Sequence, residues 1–467
     1  MNSFSWAIYF LGFLLHKGMC AKVRYDGHQV LKVTPQTAQQ VQYVQELAIQ
    51  WQLDLWKPDT IEEIYPGKEV HVRVQSPYVL QMKEKLVQQN IPFGIMIKDV
   101  QKLIDRSSVN RKRTGRVSLD TYEYVIYHPM NEIYDWMEQI KDKYSDVVSK
   151  GLLGETYEKN PIYYLKLGRP SNKTKKVVFM DCGIHAREWI AVAYCQWFIK
   201  EILTRQTSDS LIRKLLKQVD FYIIPVLNID GYIYTWTTER LWRKNRSPQE
   251  NGTCFGVDLN RNFDAQWCYT GADTFCESYV FCGPSPASEL ETKAVVKLFE
   301  EVKSNMLMYL TIHNYGQYIL LPYGYTVNQS ANHNEIETVA KKSIERMKEK
   351  HNNEYTVGST ALILYSTSGT SADWAADNNI TFSYTYELRD DGEFGFELPA
   401  DQIKPTCEET LTSMMYMFEY INETYLEPLD DDEIEEDNKP GGAAAIGSLW
   451  MNIPLSVSIC IFYAHSH

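Results

Sequence analysis

Residues 176–189, KVVFMDCGIHAREW, restrict the fold more than any other stretch of this chain. The first seven, rich in Val, Phe and Met, read as a buried strand. Gly183 follows, and then His185 and Glu188 in an H-x-x-E spacing. An imidazole nitrogen and a carboxylate oxygen three residues apart can meet on one face of a turn or a first helical turn. A pair just past a strand end sits where α/β folds place their ligands. Zinc accepts both donor types, and two His, one Glu and a water form one of its catalytic sets. Alone, H-x-x-E also fits a surface His beside a solvated Glu, so the metal reading needs a third donor. Residues 306–313, MLMYLTIH, supply one, in a second apolar run that ends in His313. Two strand ends of one sheet can bring it to the pair. A core histidine satisfied by its neighbours is the other reading of His313.

Further residues extend the pattern. Cations gather in Trp242-Arg243-Lys244-Asn245-Arg246, and Asp258-Leu259-Asn260-Arg261-Asn262 joins an Arg to carboxamides. Residues 383–390, SYTYELRD, run strand-like into Glu387. Residues i and i+2 share a face of a strand, so an ion pair between Glu387 and Arg389 is open beside a role for Glu387 as a base. From residue 122 onward helical and strand-like segments alternate, which implies an α/β sheet with helices on both faces. Helices are expected near residues 130–144, 189–204, 210–217, 286–301 and 335–350. Strands are expected near 162–167, 177–182, 221–226, 308–313 and 381–387.

H-A-R-E-W, L-W-R-K-x-R, D-L-N-R-N-F, I-H-x-Y, Y-x-x-S-G and E-L-R-D occur in that order. With these motifs the chain resembles the A/B group of zinc metallocarboxypeptidases, over about residues 122–425. The resemblance implies a mixed, mostly parallel sheet flanked by helices, preceded by a small α+β open-sandwich propeptide domain. It implies one Zn2+ held by His185, Glu188 and His313, and hydrolysis of the C-terminal peptide bond of peptides by a zinc-activated water. Glu387 would be the general base and Arg243 the oxyanion stabiliser. Asn260 and Arg261 would grip the substrate's terminal carboxylate, for which Arg offers a planar fork. Tyr365 would close over the bound residue, Arg187, Arg240 and Tyr315 would form outer subsites, and Asp258 would orient His185.

The specificity pocket implied by the same matching holds Thr360, Leu364, Thr367, Thr370 and Ala372, with Gly324 nearby. Members of the group with an aspartate at the position of Ala372 prefer basic ends, and members with an arginine prefer acidic ends. Ala372 is neither, and no Lys or Arg lies between Thr356 and Leu388. Apolar C-terminal residues are therefore expected, with acidic ones the alternative if a cation enters the pocket from another loop. A zinc amidohydrolase acting on N-acyl amino acids also fits H-x-x-E and a distant His. A non-enzymatic surface-binding protein is the remaining class, and it sits poorly with a full set of ligands and a retained Glu387.

The 467 residues suffice for more than one domain, and 44% hydrophobic content is that of a globular chain. A formal net charge of −13 and the lack of a basic face exclude nucleic acid as a partner. Residues 1–20 carry an apolar core at 4–15 and read as a signal peptide, too short to span a membrane. Residues 21–113 read as the propeptide domain, with strands in HQVLKVT and VHVRVQ and helices near 37–49 and 77–88. The run Arg111-Lys112-Arg113-Thr114-Gly115-Arg116 reads as an activation site for a trypsin-like protease, cut between Arg113 and Ser118. In the resembled group the preceding domain covers the cleft until it is removed. Residues 117–427 form the catalytic domain, 428–440 an acidic stalk, and 441–467 a signal for a GPI lipid anchor. Secretion and attachment to the outer face of the plasma membrane follow from these readings.

Secretion permits disulfides. Of nine Cys, Cys20 and Cys460 fall in segments expected to be removed. The resemblance implies Cys182–Cys195, Cys254–Cys276 and Cys268–Cys282, with Cys407 free. Sequence alone does not set this connectivity. A zinc knuckle in the Cys254–Cys282 cluster is the other reading, against which stands the absence of close C-x-x-C pairs. Sequons occur at Asn172, Asn245, Asn251, Asn328, Asn379 and Asn422. Asn245, inside the cationic cluster, is not expected to carry a glycan.

Overall fold

Alternation sets the first sheet. In Gln29–Val33 (β1) and Val70–Val74 (β3), β-branched residues recur and their side chains are buried. They pair antiparallel with each other, while Asp54–Lys57 (β2) joins β3 and Phe93–Ile97 (β4) joins β1, giving the order β2-β3-β1-β4. Ala38–Gln50 (α1) begins where the Thr37 side chain accepts from Gln40 N, and it buries Val41, Val44, Leu47 and Ala48 at helical spacing. Val79–Gln88 (α2) buries Met82 and Leu86 against the same core. Val100–Ser108 (α3) closes the layer. The computed structural model describes residues 22–108 and 118–429. The segments expected to be a signal peptide, a cleavage run and an anchor signal, and the expected stalk from residue 430 on, lie outside the described residues.

The main sheet has eight strands. They are Val148–Glu155 (β5), Pro161–Leu167 (β6), Lys176–Cys182 (β7), Val219–Ile224 (β8), Met306–Asn314 (β9), Tyr318–Leu321 (β10), Thr356–Ser359 (β11) and Phe382–Leu388 (β12). Their order is β11-β10-β12-β9-β7-β8-β6-β5. The central four, β12-β9-β7-β8, are parallel, and antiparallel pairs enter at β10–β12 and on the β8-β6-β5 side. Every residue of β9 is buried, and all of β7 after its first, as a parallel sheet covered on both faces requires.

The helices are Met130–Lys143 (α4), Trp189–Arg205 (α5), Ser210–Gln218 (α6), Ile229–Thr237 (α7), Leu290–Val302 (α8), His333–His351 (α9), Ser371–Asp377 (α10) and Ile403–Tyr425 (α11). Local chemistry explains their starts. Asp209 caps α6 by accepting from Leu211 N and Ile212 N, and Asn228 caps α7 by accepting from Gly231 N. The expected helix at 286–301 begins at Leu290, because residues before it are held in turns around Asn262. Strands β2, β4, β5, β10 and β11 and helices α3, α7, α10 and α11 lie outside the segments that the sequence pattern predicts.

All these elements belong to one compact unit, whose described residues are 22–108 and 118–426; described residues 427–429 fall outside it. Within this unit an apolar seam joins the N-terminal layer to the segments that follow α7, β9 and β12. Tyr25, Val30, Trp56, Ile97, Val100 and Leu103 pack with Leu241, Tyr315 and Phe396. Among the described residues no helix is long and apolar enough to cross a membrane.

Candidate active site

β7 ends at Cys182, and the chain must turn sharply to enter α5. Gly183 makes that turn at φ +65°, and a Cβ there would come within 2.8 Å of Val192. The turn leaves His185 and Glu188 at the strand-to-helix junction, with Glu188 the residue before α5. Cys182 is joined to Cys195 across the same junction. The parallel neighbour β9 ends alongside and brings His313. In the next strand over, Glu387 is the register partner of His313. Three adjacent strand ends thus carry four groups 128 and 74 residues apart in the chain, counted from His185 to His313 and from His313 to Glu387.

His185 Nδ1 lies 2.8 Å from Glu188 Oε1, His313 Nδ1 lies 3.0 Å from Glu188 Oε2, and the two Nδ1 atoms are 3.1 Å apart. The outer nitrogens face elsewhere, His185 Nε2 to Asp258 Oδ1 at 3.0 Å and His313 Nε2 to Thr311 Oγ1 at 3.0 Å. A ring whose Nε2 gives its hydrogen to an acceptor presents a lone pair at Nδ1. Two such nitrogens and a carboxylate, all buried and turned toward one point, form a group that can hold a metal ion. Zinc–nitrogen bonds of about 2.0–2.1 Å in tetrahedral geometry place two ligand nitrogens about 3.3 Å apart, close to the spacing here.

The same cavity is lined by Arg243, Asn260, Arg261, Tyr315, Thr360, Leu364, Tyr365, Thr367, Thr370, Ala372 and Glu387. Asp258 ties several of these together. Its Oδ2 accepts from Arg243 Nε at 3.0 Å and its Oδ1 from Asn260 N at 2.9 Å, besides facing His185. Burial would raise its carboxyl, but Arg243, His185 and Arg261 bring it well below the ordinary range. Asn260 Oδ1 accepts from Ser371 N at 2.9 Å, so its NH2 group is the end left for a ligand. Burial pushes the Glu387 carboxyl well above the ordinary range, and the neighbouring Glu188 pushes it further. Arg389 is taken by Glu409, at 2.8 Å from Nε to Oε1, which closes the ion-pair alternative for Glu387.

Arg187, Arg240 and Gly324 do not line this cavity. Arg187 lies over the Phe396 ring, 3.8 Å from its centroid, and Arg240 stacks on Trp189 and donates to the carbonyls of Arg187 and Phe396. Gly324 stands behind the pocket wall, where its N–H donates to Asp373 Oδ2 at 2.8 Å. Cys254 pairs with Cys276 and Cys268 with Cys282, which removes the zinc-knuckle alternative; Cys407 is free and buried. Asn245 is fully buried on Glu289 and Glu291.

Two groups at the site were not anticipated. Asp373 lines the pocket beside Ala372, and burial pushes its carboxyl up to about 7. Asp59, from the loop after β2, reaches into the cavity between two guanidinium groups. Its Oδ2 is 2.8 Å from Arg261 Nη2 and 3.0 Å from Arg243 Nη2. No sequence motif marks Asp59, since its position depends on how the N-terminal layer docks.

Comparison with known proteins accords with this geometry. The family described as zinc carboxypeptidase matches residues 133–413, and the family described as carboxypeptidase activation peptide matches residues 31–107. Carboxypeptidase O of Bos taurus is 59% identical over 307 residues, covering 66% of this chain and 82% of that protein. Carboxypeptidase B of Bos taurus is 39% identical over 399 residues, covering 85% of this chain and 94% of that protein. The crystal structure of thrombin activatable fibrinolysis inhibitor superposes with a TM-score of 0.80 at 39% identity, covering 85% of this chain and all of that one. The chain belongs to the zinc carboxypeptidase family, as a metallocarboxypeptidase of the A/B kind with one zinc ion as its cofactor and an activation peptide ahead of the hydrolase.

Proposed function

We propose that the chain is a secreted zymogen whose activated form removes apolar C-terminal residues from peptides. The observation that carries this reading is the single cavity in which His185, Glu188 and His313, Glu387, Arg243 and Arg261 meet a neutral wall at Ala372. When bound, zinc supplies a Lewis acid that activates water and polarises the scissile carbonyl. Arg261 and the Asn260 NH2 group hold the substrate's terminal carboxylate, and Tyr365 covers the bound residue. That grip places the last peptide bond, and no other, beside Glu387. The raised carboxyl of Glu387 suits it to take a proton and return it to the leaving amine. Arg243 faces the developing oxyanion, a donor worth about 2.7–4 kcal/mol of transition-state stabilisation. Tyr315 contacts residues upstream of the cut bond, and Arg187 and Arg240, outside the cavity of the intact chain, join it only once the N-terminal layer that holds Arg187 through Asp54 is removed.

The wall sets the preference. The cations lining the cavity among the described residues are Lys57, Arg243 and Arg261; Lys57 donates to Tyr318, and the two Arg are held by Asp59, Arg243 also by Asp258. A Glu side chain entering beside Ala372 meets Asp373 and threonine hydroxyls. An unpaired buried carboxylate costs several kcal/mol. A Lys finds Asp373 already bonded to Gly324 N and, with burial pushing its carboxyl up to about 7, only about half ionised near pH 7. On trypsin-treated protein, kcat/KM for peptides ending in Leu or Phe should exceed that for the Glu peptide roughly 100-fold. Ala372→Arg should move preference toward Glu. A Glu peptide cut best would establish the acidic alternative. A Leu peptide amidated at its C-terminus and cut as readily as the free acid would refute exopeptidase action.

The domain limits 21–113 and 117–427, activation by a trypsin-like protease, and attachment of residues 441–467 to a lipid belong to the same proposal. The composition of the C-terminal tail supports the anchor: small residues at 441–445, then a short apolar run interrupted by Asn452 and Pro454. A phosphatidylinositol-specific phospholipase should release most of the enzyme from cell surfaces. Retention after treatment would exclude a GPI anchor. Asn172, Asn328 and Asn379 are exposed and open to glycosylation, unlike Asn245.

A further inference from the structure

The two histidines of the site are held from behind in different ways. His185 meets a carboxylate directly, at Asp258. His313 meets a hydroxyl. Tyr309, Thr311 and His313 alternate along β9, so their side chains leave the same face of the sheet. Thr311 is also the register partner of Asp181 on β7. The result is a row of buried contacts. Thr311 Oγ1 lies 3.0 Å from His313 Nε2 and donates to Asp181 Oδ1 at 2.8 Å, while Tyr309 Oη donates to Asp181 Oδ2 at 2.6 Å.

Asp181 is fully buried, and among the described residues no Lys or Arg pairs with it. Fully buried carboxylates are rare without a partner of opposite charge. Its donors are hydroxyls, and one of them leads to a histidine at the metal-binding group. With Asp181 Oδ1 accepting, the Thr311 hydrogen points to Asp181. The lone pairs of Thr311 Oγ1 then face His313 Nε2, which must carry the ring hydrogen. Nδ1, turned toward Glu188, is left with its lone pair.

We propose that Thr311, itself oriented by Asp181, is the positioning residue for His313, fixing its tautomer and ring angle for metal binding. The proposal rests on the reading that His185, Glu188 and His313 hold zinc. It assigns to Asp181, at one remove, the part that Asp258 plays directly for His185. Hydrogen-bond acceptors behind metal-bound histidines typically change metal affinity 10–100-fold.

The test uses the full chain and measures zinc dissociation constants by competition with a chromophoric chelator. Visible absorption of the cobalt-substituted protein gives a second readout. Thr311→Val keeps the shape and removes the hydroxyl, and its zinc affinity should fall 10–100-fold with an altered cobalt spectrum. Thr311→Ser should restore affinity to within about threefold of wild type. A role in packing alone would lower thermal stability of the metal-free protein while leaving zinc affinity within about twofold, and that result overturns the proposal. If Thr311→Val fails to fold, Asp181→Ala is decisive. It removes the acceptor and frees the Thr311 hydroxyl to turn, so affinity should fall about tenfold, and unchanged affinity refutes the relay. Wild-type protein that binds no zinc would instead refute the ligand reading itself.

Discussion

Glu387→Gln is expected to keep zinc and bound peptide while losing roughly 10²–10⁴-fold in turnover, the range of a positioned proton-transfer group. The substitution preserves volume and shape, and Gln can still occupy the end of β12 beside His313. It cannot accept a proton. Glu387 is free for that work because Arg389 is bonded to Glu409. Its environment also favours proton exchange. Burial first and the Glu188 charge second hold its carboxyl well above the ordinary range. The experiment is kcat for a Leu-terminated peptide on trypsin-treated protein, with zinc content and inhibitor affinity measured alongside. Near wild-type turnover would place the base elsewhere, and lost zinc would mean that Glu387 supports the ligands rather than the reaction.

What was legible in the sequence divides along physical lines. The ends of β7, β9 and β12 could be read because each is a β-favouring run that stops at a residue able to bind metal or protons. Such a run is local, and a buried parallel strand leaves little choice of residues. β10, with four residues YILL, and β11, with TVGS, are too short to carry a period. The partner of Arg389 was not legible, since Glu409 lies on α11, across a tertiary contact. Nor was Asp181: in KVVFMDC it reads as a strand residue, and only the register with Thr311 gives it a role. The disulfide pairs required resemblance to a family, because six cysteines permit fifteen pairings.

Asp59 shows the same limit most fully, and it carries the second large effect. Its carboxylate sits on Arg261 and Arg243, where the terminal carboxylate and the oxyanion of a substrate are proposed to bind. Burial would raise the Asp59 carboxyl, but the two guanidinium groups hold it below its ordinary value. A covalently attached anion in that place excludes a peptide C-terminus. Intact protein should therefore be nearly inactive, and cleavage between Arg113 and Ser118 should release activity. Intact wild type as fast as trypsin-treated protein would end the zymogen reading. Asp59→Ala removes one partner of a buried ionic contact, a loss of about 3–5 kcal/mol. Peptidase activity of the uncleaved variant should rise roughly 100-fold or more over uncleaved wild type. It should stay below that of cleaved protein, because other contacts still hold the layer in place. Trp56 packs on Phe396, and His71 Nδ1 remains 2.8 Å from Tyr315 Oη. Asp54→Ala is the informative comparison. Asp54 bonds Arg73 of its own layer at 2.9 Å and reaches Arg187 only at 3.4 Å. Its removal should unlatch the cleft less than removal of Asp59, and equal leakage would show that the outer contact, not the carboxylate mimic, keeps the precursor closed.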